Sequence, residues 1–172
     1  MNPIILFSGG VDSLALLMTA IKFKLNPLLL HIVYDHPAKH KELLAVSRIH
    51  EEFAGLCKLR LQSCEIFASD MAIGPGEKGA REVRGRNLMF ISAAINATTL
   101  GDYNQIWIGC TAEDQEDYWD CHADFFYSLA FVIRKIPVSV NAPLIHKSRS
   151  QVLEMIPSEY RSMAWSCYEP ID

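Results

Sequence analysis

The first residues of the chain carry three signals in an order that few folds accommodate. An apolar run, Ile4-Ile5-Leu6-Phe7, precedes Ser8-Gly9-Gly10-Val11-Asp12-Ser13, and the helix-like run Leu14-Ala15-Leu16-Leu17-Met18 follows directly. A continuous apolar run ahead of a glycine-rich turn and a helix is typical of a buried strand in a parallel α/β sheet. The sequence therefore predicts a buried strand, a tight turn and a helix start within its first 18 residues.

The turn between this strand and this helix has the chemistry of an anion site. Backbone N–H groups in a first helical turn have no intrahelical partner, and the helix dipole favours negative charge beside them. Gly9 and Gly10 lack the Cβ atoms that would obstruct a phosphate. Ser8 and Ser13 add hydroxyl groups, and Asp12 can cap the helix or orient a cation. A plain strand–turn–helix connection with a polar cap is the simpler alternative.

The turn is not a Walker A loop, because it lacks the Gly-x4-Gly-Lys-Ser/Thr pattern. It resembles instead the pyrophosphate loop (PP-loop), SGGxDS, of the ATP pyrophosphatase superfamily. Enzymes of that superfamily split ATP between its α and β phosphates and transfer AMP to an oxygen of the substrate. The resemblance implies that the backbone and side chains from Ser8 to Ser13, Val11 included, bind ATP.

Strand-like and helix-like segments alternate along the rest of the chain. Apolar or alternating runs predict strands at 27–33, 58–62, 105–110 and 137–140. Helical spacing predicts helices at about 40–57, 121–134 and 149–156, and another that starts near Asn87. We therefore expect an α/β fold: a doubly wound, parallel five-stranded sheet with helices on both faces, as a single domain over 1–172.

Ligands of such sheets bind beyond the carboxyl ends of the strands. The residues expected at these ends are Ser8, Tyr34, the 67–81 loop, Gly109 and Asn141. Within 67–81, the breaker-rich stretch 74–79 predicts a mobile loop that can act as a lid. The polar motifs should therefore converge on one edge of the sheet.

Composition excludes several classes of protein. The formal net charge of −4 argues against direct binding of a nucleic-acid backbone. Apolar runs are far shorter than the ~20 residues that cross a bilayer, and the first residues already predict a strand, so we expect neither a membrane span nor a signal peptide. Five cysteines without CxxC spacing predict reduced thiols in the cytoplasm.

Two further segments carry basic groups next to predicted helix starts. Arg86 and Asn87 follow Gly85, where a guanidinium fork can bind phosphate or carboxylate; a cap by Asn87 with solvated arginines explains the segment equally well. Lys147 and Arg149 can hold a phosphate or a developing oxyanion, and a helix start capped by a serine is the alternative there.

An acidic segment, 109–122, begins where a parallel strand is predicted to end. Its five carboxylates within eight residues fit a solvated acidic turn. In a functional interpretation, a flat heterocycle stacks against Tyr118-Trp119 while Asp120 accepts hydrogen bonds from an amino-pyrimidine edge. A divalent metal ion is another partner for these acids.

Together the segments resemble the 7-cyano-7-deazaguanine synthase family of the ATP pyrophosphatase superfamily. The family's motifs are matched, in order, by Ser8–Ser13, Tyr34 with Lys39-His40-Lys41-Glu42, Gly85–Ser92, the set Gly109, Asp114, Tyr118, Asp120, Cys121 and Phe125, then Ala142-Pro143-Leu144 and Ser166-Cys167-Tyr168. The matches extend over nearly the whole chain, and their combination is far more specific than any one motif.

The resemblance implies a reaction and a set of site residues. ATP adenylates the carboxylate of 7-carboxy-7-deazaguanine, ammonia displaces AMP to give an amide, and a second ATP activates the amide, which loses AMP to become the nitrile. Mg²⁺ accompanies ATP, and the enzyme is a homodimer. The implied residues are Ser8, Asp12, Ser13, Arg86, Lys147 and Arg149 for catalysis, Ser8–Ser13, Asn87 and Gly109 for ATP, and Arg86, Asp114, Tyr118, Asp120, Cys121, His122 and Phe125 for the substrate.

The chain departs from the family pattern at several positions. Family members continue past Cys-Tyr-Asn-Gly into three more cysteines that help to bind a structural zinc, whereas here Cys167-Tyr168 is followed by Glu169-Pro170-Ile171-Asp172. One cysteine cannot make a four-ligand site, so we expect no structural zinc. Trp119, His122 and Arg149 replace the family's proline, arginine and lysine.

These departures leave three other functions open. The enzyme can stop at the amide, 7-amido-7-deazaguanine. It can adenylate another carboxylate, including a peptide C-terminus, as an AMP-forming ligase or amidating enzyme. It can also be a non-catalytic nucleotide-binding module.

Overall fold

The computed structural model describes residues 2–36, 38–65 and 85–165. Its strands are β1 (Asn2–Leu6), β2 (Leu28–Val33), β3 (Lys58–Ser63), β4 (Tyr103–Trp107) and β5 (Ser139–Asn141). Its α-helices are α1 (Val11–Lys22), α2 (Lys39–Glu52), α3 (Arg86–Ala97), α4 (Asp114–Asp117), α5 (Ala123–Val132) and α6 (Arg149–Glu154), with 3₁₀ segments at Thr98–Leu100, Trp119–Cys121 and Ser158–Met163. The predicted 67–81 loop and the Ser166-Cys167-Tyr168 motif lie outside the described residues.

The five strands form one parallel sheet in the order β3-β2-β1-β4-β5. The central strand β1 pairs with β2 through Ile4 opposite Leu28, and with β4 through Ile4 opposite Ile106. The chain winds outward from β1 to β3 and then returns to β4 on the other side of β1. The predicted doubly wound sheet is confirmed, and its topological switch point lies between β1 and β4.

Apolar layers cover both faces of the sheet, which explains the uninterrupted apolar run of β1. Ile5 and Phe7 pack against residues of α1, α2 and α6 on one face. Ile4 and Leu6 pack against residues of α3 and α5 on the other face. Ile4 and Ile5 are fully buried. Alternate side chains of one strand therefore hold two helical layers in place.

The element bounds differ from the sequence prediction in several places. Helix α2 ends at Glu52 and not near residue 57, and β4 spans Tyr103–Trp107 and not 105–110. The last strand begins at Ser139, which pairs with Gln105, and not at Pro137. Proline has no N–H to contribute to a strand ladder. The predicted helix at 121–134 begins at Ala123, because a 3₁₀ segment precedes it and the His122 side chain accepts the Asp124 N–H at 3.3 Å.

Two glycines allow the PP-loop to be tightly enclosed. Gly9 has a φ of +78°, and a Cβ added there would lie 2.9 Å from the Cβ of Ala45 in α2. A Cβ on Gly109, just beyond β4, would lie 2.9 Å from the Cβ of Asp12. The absence of side chains at these positions lets α2 and the end of β4 approach the loop from two sides.

We expect Gly9→Ala to lower the free energy of unfolding by about 1–3 kcal/mol. The new methyl group would meet both a left-handed backbone and the Val46 backbone nitrogen, 3.1 Å away. Denaturant unfolding measures the change. Gly55→Ala is the matched control, because no atom lies within 4 Å of its added Cβ and its φ is not positive. Similar losses in the two variants would contradict the packing argument.

Candidate active site

A cavity of about 280 Å³ lies at the carboxyl ends of β1, β2 and β4. Its walls come from the PP-loop and α1, from the end of β2 with the first turn of α2, and from the first turn of α3. The polar side chains that line it belong to Ser8, Asp12, Ser13, His31, Tyr34, Glu42, Arg86 and Asn87. A wider depression of about 490 Å³ between β4 and β5 is lined by no charged residue in the part of the chain that the structure describes. The first cavity, which is lined by charged and polar side chains, is therefore the candidate active site.

Hydroxyl groups fix the shape of the PP-loop. The Gly10 N–H donates to Ser8 Oγ at 3.2 Å, and Ser13 Oγ donates to the Gly10 carbonyl at 2.9 Å. The Leu14 N–H donates to the same carbonyl and is the first intrahelical bond of α1. The N–H groups of the three preceding residues, 11–13, are therefore beyond the reach of the helix ladder, as an anion site requires.

Asp12 stands in the first turn of α1 and lines the cavity. Burial raises the pKa of its carboxyl to about 6, with further contributions from the neighbouring charges of Asp114 and Glu113, while Arg149 opposes the shift. Arg149 Nη2 lies 3.2 Å from Asp114 Oδ1, and the Arg149 N–H donates to Glu113 Oε1. The acidic segment is thus tied to the start of α6, and Arg149 balances its charge.

The first turn of α3 faces the PP-loop across the cavity and is fixed by the acidic segment. The Asn87 N–H donates to Asp120 Oδ2 at 3.2 Å, and Asn87 Nδ2 donates to the Asp120 carbonyl at 3.4 Å. Burial alone would lower the pKa of the Arg86 guanidinium, but Tyr34, Asp120 and Tyr118 outweigh burial and raise it. Arg86 is therefore a partly buried permanent cation held by anionic or phenolic neighbours.

The structure brings together most of the predicted ATP-binding residues and Arg86, which was predicted as catalytic and substrate-binding. Those that line the cavity are Ser8, Gly10, Asp12, Ser13, Arg86, Asn87 and Gly109. Gly9 packs against α2, and Val11 joins the apolar layer of α1, so both support the loop from outside.

The predicted substrate residues divide into groups by position. Tyr118, Asp120 and Cys121 lie behind Arg86 and Asn87, which they contact or influence, and Asp114 lies near Asp12. Among the predicted substrate residues, Arg86 alone lines the cavity that the described residues form. His122 caps α5, and Phe125 packs edge-on against Trp119. Lys147, predicted as catalytic, does not line the cavity either and forms backbone bonds to Leu144 and Ala112. The roles of all these residues stay predictions.

His31 is a polar lining residue that the sequence interpretation missed. It is only 2% exposed, and its Nδ1 donates to the Phe7 carbonyl at 2.8 Å. Burial lowers the pKa of the ring, so His31 is neutral at physiological pH and its Nε2 is an acceptor. The available signal was one polar residue inside the otherwise apolar strand Leu28–Val33.

Glu42 is the second missed residue, matched to a family motif without a role. It stands in the first turn of α2, lines the cavity and lies 3.5 Å from His36 Nε2 through Oε2. Burial raises the pKa of this carboxyl to about 7, although the positive charge of Arg86 opposes the shift. His36 itself stacks on Tyr34, with ring centroids 4.3 Å apart.

Trp165 contacts the backbone of the PP-loop. The backbone N–H of Trp165 donates to the Gly9 carbonyl at 2.9 Å, and Trp165 forms a parallel β-bridge with Gly10. Lys41 Nζ lies 4.5 Å from the centre of its ring. A segment distant in sequence therefore fixes the back of the loop.

No group of three or more His, Cys, Asp or Glu side chains able to hold a metal ion occurs among residues 2–36, 38–65 and 85–165. Cys167 lies outside these ranges, so the absence of a structural zinc stays a prediction. None of the described helices is long and apolar enough to cross a membrane.

A parallel sheet with a PP-loop at its switch point defines the adenine nucleotide alpha hydrolase-like fold. The chain belongs to the family of the queuosine biosynthesis protein QueC, whose family model matches residues 2–172. The family resemblance inferred from the motifs is thereby confirmed.

Individual relatives agree with this assignment. The chain is 27% identical to a 7-cyano-7-deazaguanine synthase of Leptospira biflexa, with 99% of this chain and 82% of that protein covered. It is 26% identical to the synthase of a Nitratiruptor species, with 100% and 86% covered.

Solved structures share the fold at lower identity. The U34-tRNA thiolase NcsA of Methanococcus maripaludis has a TM-score of 0.62 and 15% identity, with 99% of this chain and 61% of that chain covered. A predicted tRNA methyltransferase subunit of Methanocaldococcus jannaschii has a TM-score of 0.56 and 15% identity, with 90% and 73% covered.

We expect Asp12→Asn to raise the free energy of unfolding at about pH 7 by about 1–2 kcal/mol. The folded protein holds the Asp12 proton up to a pKa of about 6, above the ordinary value of 3.8, so wild-type stability falls as pH rises between these values. Asparagine removes that loss, and the gain should vanish near pH 4. Denaturant unfolding without nucleotide or Mg²⁺ measures both.

The control for this variant is Asp102→Asn, at an exposed turn, which should change the free energy of unfolding by less than about 0.5 kcal/mol at either pH. A gain for Asp12→Asn that is the same at both pH values would show that the substitution acts through packing and not through ionisation.

Proposed function

We propose that the chain is an ATP-dependent, AMP-forming ligase that converts 7-carboxy-7-deazaguanine to 7-cyano-7-deazaguanine with ammonia as nitrogen source. One observation carries the proposal: the N-terminus of α1 and the Arg86 guanidinium open into the same cavity. Membership of the QueC family and relatives named 7-cyano-7-deazaguanine synthase support the substrate class. We place the reaction in the cytoplasm and assign it to one domain, 1–172.

The PP-loop side of the cavity suits the polyphosphate of ATP. The N–H groups of residues 11–13 and the hydroxyls of Ser8 and Ser13 would hold the β and γ phosphates and then the departing pyrophosphate. The Asp12 carboxylate fits Mg²⁺, an ion that prefers oxygen ligands, and Mg²⁺ when bound neutralises phosphate charge. Asn87 and Gly109, which also line the cavity, complete the proposed ATP contacts.

The α3 side of the cavity suits the carboxylate that receives AMP. Arg86 offers a planar fork of N–H donors that matches a carboxylate, and its neighbours Tyr34 and Asp120 restrict its position. A carboxylate oxygen held in line with the α-phosphorus attacks it, and the bond from that phosphorus to pyrophosphate breaks. Lys147 and Arg149 remain candidates for stabilising charge at the α-phosphate.

The ring of the substrate would lie towards the acidic segment. Asp120 and Tyr118 sit next to the first turn of α3, close to the proposed carboxylate position. Asp114, Cys121, His122 and Phe125 complete the proposed ring-binding set by family resemblance. The proposed reaction involves small molecules, so we propose no direct contact of the protein with nucleic acid or a membrane.

We further propose a homodimer, as the family resemblance implies. The outer face of α5 supports this, because Tyr127, Phe131 and Val132 are 77%, 68% and 72% exposed there. Single exposed apolar side chains are ordinary on protein surfaces, whereas several together on one short helix are typical of an interaction surface.

We expect Ser13→Ala to reduce AMP formation by about 100-fold or more, because in the proposed complex the hydroxyl turns from the Gly10 carbonyl to donate to a phosphate oxygen. The assay combines ATP, Mg²⁺, ammonium and 7-carboxy-7-deazaguanine, and mass spectrometry identifies the products. Circular dichroism checks the fold, since Ser13 also bonds Gly10. Ser47→Ala, on the exposed side of α2, is the matched control and should keep wild-type activity.

The wild-type products discriminate among the candidate functions. Nitrile supports the proposal, and amide without nitrile identifies an enzyme that stops one step earlier. AMP without conversion of the deazaguanine points to another carboxylate as acceptor, and no AMP at all points to a non-catalytic nucleotide-binding module. If folded Ser13→Ala released AMP at the wild-type rate, the proposed role of the PP-loop in AMP formation would be contradicted.

We expect Asp120→Ala to weaken 7-carboxy-7-deazaguanine binding more than ATP binding. The substitution removes the acceptor of the Asn87 N–H and an anionic neighbour of Arg86, so it disturbs the carboxylate side of the cavity first. Calorimetry with each ligand separately measures the two affinities. Asp124→Ala, whose side chain is exposed, is the control. Equal loss of both affinities would count against a substrate-side role for Asp120.

A further inference from the structure

One carboxyl group in the cavity has no part in the mechanism described so far. Glu42 projects from the first turn of α2, the helix that packs directly against Gly9 of the PP-loop. Ala45, the residue in contact with Gly9, follows Glu42 by three positions, and residues so spaced on a helix are neighbours about 5–6 Å apart. Glu42 is therefore about one helical turn from the residue of α2 that contacts the loop, and it lines the same cavity as Ser8, Asp12 and Ser13.

The surroundings of Glu42 restrict what it can do. Arg86 acts on it electrostatically from α3, so Glu42 lies near the guanidinium that we assign to the substrate carboxylate. His36, on the segment after β2, lies 3.5 Å away and has a pKa that burial, His31 and Arg86 lower, so it stays neutral. A neutral imidazole can accept a proton but cannot hold Glu42 permanently ionised.

The proposed reaction needs such a group. When ammonia attacks the acyl adenylate, a C–N bond forms and the nitrogen carries one proton too many. As the C–O bond to AMP breaks, that proton must leave for a base. A base is most effective when its pKa is close to the working pH, and burial raises the pKa of Glu42 to about 7. His31, the other basic group in the wall, is a weaker base because burial lowers its pKa.

We propose that Glu42 is a catalytic base for nitrogen transfer, which accepts the proton of the attacking ammonia as AMP leaves. The inference rests on the proposed function. In this step the acyl adenylate and ammonia become amide and AMP, and the Glu42 carboxylate takes up the released proton to become a carboxylic acid. Adenylation itself transfers no proton to Glu42, because the substrate carboxylate is already ionised when it attacks phosphorus.

The test separates the two half-reactions in Glu42→Gln. Exchange of labelled pyrophosphate into ATP, with 7-carboxy-7-deazaguanine and Mg²⁺ but no ammonium, reports adenylation alone. Amide or nitrile formation from ammonium reports nitrogen transfer. Hydroxylamine, uncharged at neutral pH and a stronger nucleophile, forms a hydroxamate with much less need for a base. Glu52→Gln, on the exposed end of α2, is the matched control.

We expect Glu42→Gln to keep pyrophosphate exchange and hydroxamate formation near the wild-type rates, and to lose nitrogen transfer from ammonium by about 100-fold or more. Glu42→Asp, which keeps a carboxylate, should recover part of that loss. Equal loss of exchange and nitrogen transfer, or unchanged nitrogen transfer, would overturn the role of Glu42 alone. Wild-type protein without any exchange would overturn the proposed function, and this inference with it.

Discussion

The close packing of the PP-loop against α2 is the contact on which the site depends. Gly9 adopts a left-handed conformation and leaves no room for a side chain between itself and Ala45. This contact sets the direction in which the chain enters α1, and so the direction of the N–H groups in its first turn. The same contact brings the first turn of α2, with Glu42, to the edge of the loop. The contact between Gly9 and α2 thus positions both the anion site at the start of α1 and the wall of the cavity that α2 forms.

Electrostatics in the cavity depend on a balance between one partly buried cation and two carboxyl groups with raised pKa values. Arg86 is surrounded by Tyr34, Asp120 and Tyr118, whereas Asp12 and Glu42 are disfavoured as anions by burial. When these two carboxyl groups are protonated, the cavity carries few charges compared with a polyphosphate, its cation and a substrate carboxylate. Ligand binding would supply the missing charges, so the protonation of the cavity should change when it fills.

Local sequence signals were sufficient for the sheet and the PP-loop, because both depend on contiguous residues: a buried run, two glycines and a helix start. β5 was misplaced by two residues, since a proline that looks strand-like cannot join the ladder. The contacts of Asp120 were beyond prediction, because its partner Asn87 is 33 positions away. Glu42 and His31 were missed because each becomes buried only when elements that are distant in sequence pack together.

The contact between Trp165 and Gly9 joins one of the first elements of the chain to one of the last described residues. Contacts so distant in sequence form late, because they close a loop of nearly the whole chain. During synthesis, the PP-loop therefore emerges from the ribosome long before Trp165 does. The PP-loop should accordingly reach its final conformation only at the end of folding.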